Sequence, residues 1–220
     1  MGIELLRLSL LGGLLGLDGT SVGQFMFSRP LVAGALAGAL AGDPATGIAV
    51  GALLELYLVV AFPTGGSTFP EGATAAVVAA GTATSFDVPG GVPAAIALGL
   101  LWGQVAGSSI TWHRKAVTRL VPESEDGLGA RAIERILVLA IGLDFLRGFA
   151  VTASGLAVGI VALGPWVSAW PLDAGASTSL LLVGGAVSAG ILVNDLGGMR
   201  ARGGWLAVGV ALGAAGAWLV

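Results

Sequence analysis

The sequence predicts an all-α polytopic membrane protein, built of transmembrane helices and short, broken or re-entrant helical hairpins. Three observations carry this expectation. Of 220 residues, 55% are apolar and only 10% are charged, whereas a soluble domain carries about 25% charged residues. The mean hydropathy is +0.94. The apolar stretches come in two lengths, some long enough to cross a bilayer and some too short, with Gly, Pro and Asp between them. The same composition excludes other classes. A net charge of −3 offers no extended basic stripe to a nucleic acid. The lack of cysteine removes disulfides, iron–sulfur clusters and thiolate metal sites, and a single histidine cannot build a histidine-rich metal centre. No metal, cofactor or catalytic residue is therefore assigned.

In chain order, residues 1–17 read as a retained first membrane helix, because no small-x-small cleavage site precedes a polar mature segment. A polar gap covers 18–29, and Pro30 suits the first turn of a new helix. The chain is apolar from Leu31 to Gly42, breaks at Asp43-Pro44, and resumes from Ala45 to Phe62. Twelve helical residues rise about 18 Å against about 30 Å of hydrocarbon, so the first arm cannot cross upright. Two arms on a Gly-Asp-Pro turn predict a helical hairpin entering the membrane, tolerated only where protein or a watery cavity covers the irregular backbone. Pro63–Gly72 is a second break and Ala73–Phe86 another short arm. Pro89–Trp112 is long enough to span and ends in His113, Arg114, Lys115 and Arg119.

An acidic linker at 122–130 divides one membrane domain, 1–220, into a half at 1–121 and a C-terminal helical half at 131–220. Arg131, Arg135 and Arg147 punctuate the next helix, which is apolar from Phe149 to Leu163. Trp166 and Trp170 lie in a turn with Pro165 and Pro171, as in an interfacial aromatic belt. Ser177–Asn194 spans, Gly197–Gly204 is read as a loop carrying Arg200 and Arg202, and Trp205–Val220 is a last apolar segment. By the positive-inside rule, 113–147 and 200–202 face the cytoplasm and 165–176 faces outward. Glycines recur every four residues at Gly34, Gly38 and Gly42, at Gly47 and Gly51, and at Gly99, Gly103 and Gly107. Such stripes let helix backbones approach closely, either as fixed packing or as a sliding surface.

Few residues could carry chemistry. Glu55 lies in the run LLELYLVV, and an ionisable group at membrane depth costs at least about 2.5 kcal/mol. It needs a partner, a proton or water, and it reads either as functional or as an ion pair with Arg29. Thr64, Gly65, Gly66, Ser67, Thr68 and Glu71 fall in one short loop. Hydroxyls, free amides and a carboxylate suit a polyhydroxylated ligand, since an ionised carboxylate accepts from two neighbouring hydroxyls; the same residues also suffice for an ordinary turn. Asp18, Gln24 and Arg29 sit between two helices, where a solvated loop is the bland explanation, and Gln24 and Arg29 could instead close over a site. Asp43 reads as a helix cap, and Asp144 and Arg147 as a pair on one helix face. His113 stands at a helix boundary beside Arg114 and Lys115, where nothing places it beside a serine nucleophile. No zincin, phosphate-loop or dinucleotide motif occurs.

From Gln24 onward the chain resembles the IIC membrane subunit of the mannose/fructose/sorbose-type sugar phosphotransferase system (PTS). The resemblance is carried by Arg29-Pro30-Leu31, Gly42-Asp43, Thr46-Gly47, Gly51, Leu54-Glu55-Leu56, Gly65 and Pro70-Glu71, in the family's order and spacing. It continues more loosely through Gly103 to Val105, and beyond Pro122 it rests on hydropathy. It implies a sugar-conducting permease subunit of the bacterial cytoplasmic membrane, working by alternating access with a IID subunit and with soluble IIA and IIB proteins that carry the phosphoryl group. It implies a hexose-class substrate held near the break after the Leu-Glu helix, with Glu55, Gly65 and Glu71 matching the motif and Thr64, Gly66, Ser67 and Thr68 as loop neighbours. A homo- or hetero-oligomer follows from the same source. Glu71 stands where the family usually has Asp, one methylene longer, so sugar preference does not transfer. Two rival readings keep the residues: a facilitator or exporter of a small polar solute without phosphorylation, and a non-transporting membrane scaffold.

Overall fold

The computed structural model describes residues 2–59, 68–121 and 129–219, and every regular element among them is helical. In order these are α1 (Gly2–Thr20), α2 (Pro30–Ala41), α3 (Pro44–Tyr57), α4 (Gly72–Ala83), α5 (Gly91–Thr118), α6 (Ala130–Ala162), α7 (Gly164–Ser168), α8 (Ala174–Asp195) and α9 (Gly198–Leu219). Among the described residues, α5, α6 and α8 are long and apolar enough to cross a membrane. The helices α2, α3 and α4 are apolar but short, as the Asp43-Pro44 and Pro63–Gly72 breaks predict.

The two arms α2 and α3 form a helical hairpin because small residues meet along its whole seam. A Cβ placed on Gly34 would lie 2.7 Å from the Gly51 Cα, and one on Gly38 would lie 2.6 Å from the Gly47 Cα. Only backbones without side chains can approach so closely. Gly42, the third member of that stripe in sequence, has a different task. It closes α2 in the left-handed conformation (φ +90), which glycine adopts without steric cost. Asp43 then opens α3, its Oδ1 accepting from the Thr46 amide at 3.0 Å, with Pro44 at the first helical position.

At the centre lies α4, whose residues 73–83 are all buried. Its sequence, GATAAVVAAGTA, contains nothing larger than valine. Five helices, α1, α2, α3, α5 and α6, pack around it, and small side chains are what allow so many neighbours close to one axis. The remaining glycine stripe, on α5, takes the chain segment leading into α4. A Cβ on Gly99 would fall 2.7 Å from the Ala75 carbonyl oxygen, and one on Gly107 only 1.8 Å from that of Phe69. α1 and α6 join the two halves of the chain, with Gly12 against Thr152 and Gly13 against Phe145. Thus all three stripes act as packing seams.

The arginines at 131, 135 and 147 lie on α6, one continuous helix of 33 residues, as the sequence reading has them. Two segments run differently from the sequence expectation. The segment 197–204, read as a loop, is largely helical, because α9 begins at Gly198 after left-handed glycines at 197 and 198. Asp18 is 7% exposed and not solvated: it accepts from the Phe25 and Ser28 amides at 2.7 and 2.8 Å. Those bonds fold the 21–29 segment back on α1, through left-handed Gly23, Gln24 and Met26. Outside the packed centre, α6, α8 and α9 present many exposed leucines and valines. α8 is tied to α3 by the Tyr57 hydroxyl, which donates to the Leu181 carbonyl at 2.6 Å.

Candidate functional site

The end of α1, the start of α2, the end of α3 and the start of α4 converge at one place. They converge because α2 and α3 are antiparallel arms with their turn at the far end, so the open end of the hairpin meets the entrance to α4. A cavity of about 180 Å³ lies there, room for a solute of monosaccharide size. Among the described residues it is lined by Gly19 and Thr20, by Ser28, Arg29 and Pro30, by Glu55, Leu58 and Val59, by Phe69 to Ala73, and by Ile110. Apolar rings and aliphatic side chains form most of the wall, and charge enters from the Arg29 guanidinium and two carboxylates.

Glu55 stands on one side. Its carboxylate forms an ion pair with Arg29 and accepts from the Leu31 amide at 3.2 Å. The pairing anticipated as the bland explanation of Glu55 therefore exists, but it borders the cavity. Arg29 is 46% exposed and Glu55 22%, so the pair is open to exchange with water or a solute, and an exposed pair of this kind contributes little stability.

Glu71 also lines the cavity, and its surroundings are far more closed. It is the N-cap residue of α4 (φ −79, ψ 106), yet its side chain does not cap the backbone. One oxygen, Oε2, accepts from the Thr74 hydroxyl at 2.9 Å and from Arg147 Nη1 at 3.3 Å. The start of a helix favours a carboxylate through its free amides. The Glu71 amide itself donates to the Gly103 carbonyl at 2.9 Å, which pins the segment to α5.

Behind Glu71 lies a buried polar cluster. Arg147 Nε donates to Asp144 Oδ1 at 2.8 Å, as their three-residue spacing predicts, and Nη1 also donates to Ser109 Oγ at 2.9 Å. Asp144 has no exposed surface; its Oδ2 accepts from the hydroxyls of Thr20 and Ser21. His113 Nε2 is 3.9 Å from Asp144 Oδ1, so this histidine faces inward rather than lying at a water-facing helix boundary. Sequence reasoning linked Arg147 to Asp144 but not to Glu71, 76 residues away. Only the packing of α6 against α1 and α4 brings them together.

The other sequence-predicted residues fall as follows. Gln24 is exposed on the 21–29 segment. The Thr68 hydroxyl meets that of Thr111 on α5 at 3.3 Å. Thr64, Gly65, Gly66 and Ser67 lie outside the described residues.

Comparison with known proteins places this architecture. No curated protein sequence matches the chain. A solved structure titled "Structure of membrane protein" superposes with a TM-score of 0.73 at 20% identity, covering 100% of this chain and 94% of the other. A second, the cryo-EM structure of the mannose transporter ManYZ in complex with microcin E492, gives 0.62 at 21% identity, covering 100% and 93%. At these identities they share the fold. The family described as "PTS system sorbose-specific iic component" matches residues 3–191. That span takes in the hairpin, the cavity and the cluster behind it, and the chain belongs to this family of phosphotransferase IIC components.

Proposed function

We propose that this chain is the sugar-translocating IIC subunit of a phosphoenolpyruvate-dependent, mannose-type permease in the bacterial cytoplasmic membrane. Family membership makes it a sugar-transport component. The observation that carries the finer reading is that Glu55 and Glu71 both line a monosaccharide-sized cavity at the open end of the α2/α3 hairpin. Carboxylates set among apolar walls suit a neutral polyol, whose hydroxyls donate to the acid groups while its C–H faces lie on Leu58, Phe69 and Ile110. Gln24 and Arg29 belong to the proposed site as residues of the 21–29 segment, while Thr64, Gly65, Gly66, Ser67 and Thr68 are assigned to it from the sequence.

In this reading the bound sugar is carried across by alternating access, as broken helices serve other carriers. The exposed apolar faces of α6, α8 and α9 suit lipid and a IID membrane subunit. The phosphoryl group stays on soluble IIA and IIB proteins. The exposed basic residues within 113–147, namely Arg114, Lys115, Arg119, Arg131 and Arg135, and those at 200–202 then face the cytoplasm, where those proteins act.

The test is sugar uptake into inverted or right-side-out vesicles that hold the chain and its IID partner. Uptake of D-mannose or L-sorbose should require phosphoenolpyruvate and the soluble components. Glu55→Gln and Glu71→Ala should each reduce it at least about tenfold, the loss expected for a hydrogen bond to a charged group, while inserted protein remains. Uptake that ignores phosphoenolpyruvate supports a facilitator instead, and full uptake by both variants removes the site assignment.

A further inference from the structure

The segment between α1 and α2 reaches the cavity through a backbone that its own residues do not favour. Gln24 and Met26 both stand in the left-handed region, at φ 55 and φ 68. That region crowds any residue with a Cβ, and such conformations persist only where surrounding contacts hold them. The large side chains of the segment supply little of that hold, since Phe25, Met26 and Phe27 are all exposed.

A carboxylate holds it instead. Asp18, on the last turn of α1, is buried, and both of its oxygens are committed to the segment. Oδ1 accepts from the Phe25 amide at 2.7 Å and Oδ2 from the Ser28 amide at 2.8 Å. Among the described residues no cation pairs with it. Backbone amides bound to a carboxylate are strong hydrogen bonds, and here they stand in for the water that the buried charge has lost. The two bonds clamp the backbone on either side of the left-handed Met26, and the second lies one residue before Arg29.

The clamp matters to the cavity because Ser28 and Arg29 line it, whereas Asp18 does not. The Arg29 amide donates to the Met26 carbonyl at 3.2 Å, so the turn that Asp18 closes is the turn from which the guanidinium leaves toward Glu55. That ion pair is open to water and is too weak to hold the segment by itself. We infer that Asp18 is a positioning residue of the solute site: through the Phe25 and Ser28 amides it keeps Arg29 in the cavity wall, against Glu55. This rests on the sugar-binding reading above and extends it to a residue outside the cavity. Arg29 has five N–H donors, and those not engaged by Glu55 are left for the oxygens of the solute. Without the clamp the 21–29 segment relaxes to ordinary backbone conformations, and Arg29 leaves Glu55 with it.

A double-mutant cycle separates positioning from mere support of the fold. The full-length protein in nanodiscs is titrated with D-mannose and with L-sorbose, and the sugar that binds is followed through the variants. Arg29→Ala should weaken it roughly tenfold, as expected for a lost hydrogen bond from a charged group. Asp18→Ala should weaken it by a comparable factor, and the double variant should match Arg29→Ala alone to within about twofold. Asp18→Asn keeps the volume and one acceptor, and should lose part of the affinity even where Asp18→Ala fails to insert. A spin label on Phe25→Cys, placed in an otherwise cysteine-free chain, should report a rigid segment in the wild type and a mobile one once Asp18 is replaced. Four results would overturn the positioning role: wild-type affinity in both Asp18 variants, wild-type affinity in Arg29→Ala, losses that multiply in the double variant, or a label equally rigid without Asp18. A wild type that binds neither sugar overturns the sugar reading and the positioning role together, whereas those four results overturn the positioning role alone.

Discussion

Arg147→Met is expected to lower the melting temperature of the purified protein by roughly 10 °C, or to abolish its recovery from the membrane. The guanidinium is the shared partner of two carboxylates, Asp144 at 2.8 Å and Glu71 at 3.3 Å, and all three side chains are buried. Removing one partner of a buried pair costs about 3–5 kcal/mol, because the remaining charge stays in a poor solvent. Each kcal/mol moves the midpoint of a chain of this size by about 2–4 °C. Methionine keeps most of the volume, so the loss reports charge rather than packing. Adding Glu71→Gln and Asp144→Asn to Arg147→Met should restore much of the midpoint, since the uncompensated charges are then gone. Thermal unfolding in detergent checks both steps; a midpoint within 2 or 3 °C of wild type for Arg147→Met, well below that scale, would mean the cluster carries no net ionic dependence.

Gly107→Ala should abolish sugar uptake while the chain still inserts. The added methyl would fall 1.8 Å from the Phe69 carbonyl oxygen and 2.9 Å from its carbon. No rotamer relieves an overlap with backbone, so α5 or the Phe69–Glu71 segment must move. The Glu71 amide, which donates to Gly103 one turn away, moves with it, and the Glu71 carboxylate leaves its place in the cavity wall. Overpacking of this kind typically costs about 1–3 kcal/mol, less than the loss of Arg147, but it acts on the geometry of the cavity. Gly142→Ala on α6 is the control: nothing lies within 4 Å of its Cβ position, and alanine in a helix is slightly favourable. Uptake in vesicles normalised to inserted protein distinguishes them, and equal uptake by both variants would dissociate the α5 stripe from the site.

The architecture was legible wherever local chemistry decides it. Asp43-Pro44 after Gly42 marks a helix stop and a capped restart on its own, and arms too short to cross follow from counting residues. Glu55 was conspicuous because an acid within LLELYLVV has no local partner. The cluster behind Glu71 was not legible in the same way. Asp144 and Arg147 satisfy each other at three-residue spacing, which is sufficient as a surface pair. That they are buried and reach Glu71 follows from Gly12, Gly13 and Gly16 letting α6 approach α1, a long-range consequence of glycines that pattern alone reads as generic packing. Asp18 misled for a related reason. An acid at the end of an apolar helix resembles the edge of a solvated loop, and only the folded 21–29 segment shows that its two backbone amides need that carboxylate. The early start of α9 was missed because arginines near a membrane helix end read as loop, although their long stems let a helix continue past them.

The lack of cysteine makes the site accessible to one decisive measurement. Leu58, which lines the cavity at the end of α3, is replaced by cysteine, and the rate of its alkylation by a small maleimide is followed in native membranes. The proposed sugar site predicts that Leu58→Cys is alkylated and that saturating D-mannose or L-sorbose slows the reaction at least about fivefold, with the protection lost on adding Glu55→Gln. Alkylation at the same rate with and without either sugar, in membranes that take the sugar up, would show that the solute passes elsewhere and would contradict a binding site between Glu55 and Glu71.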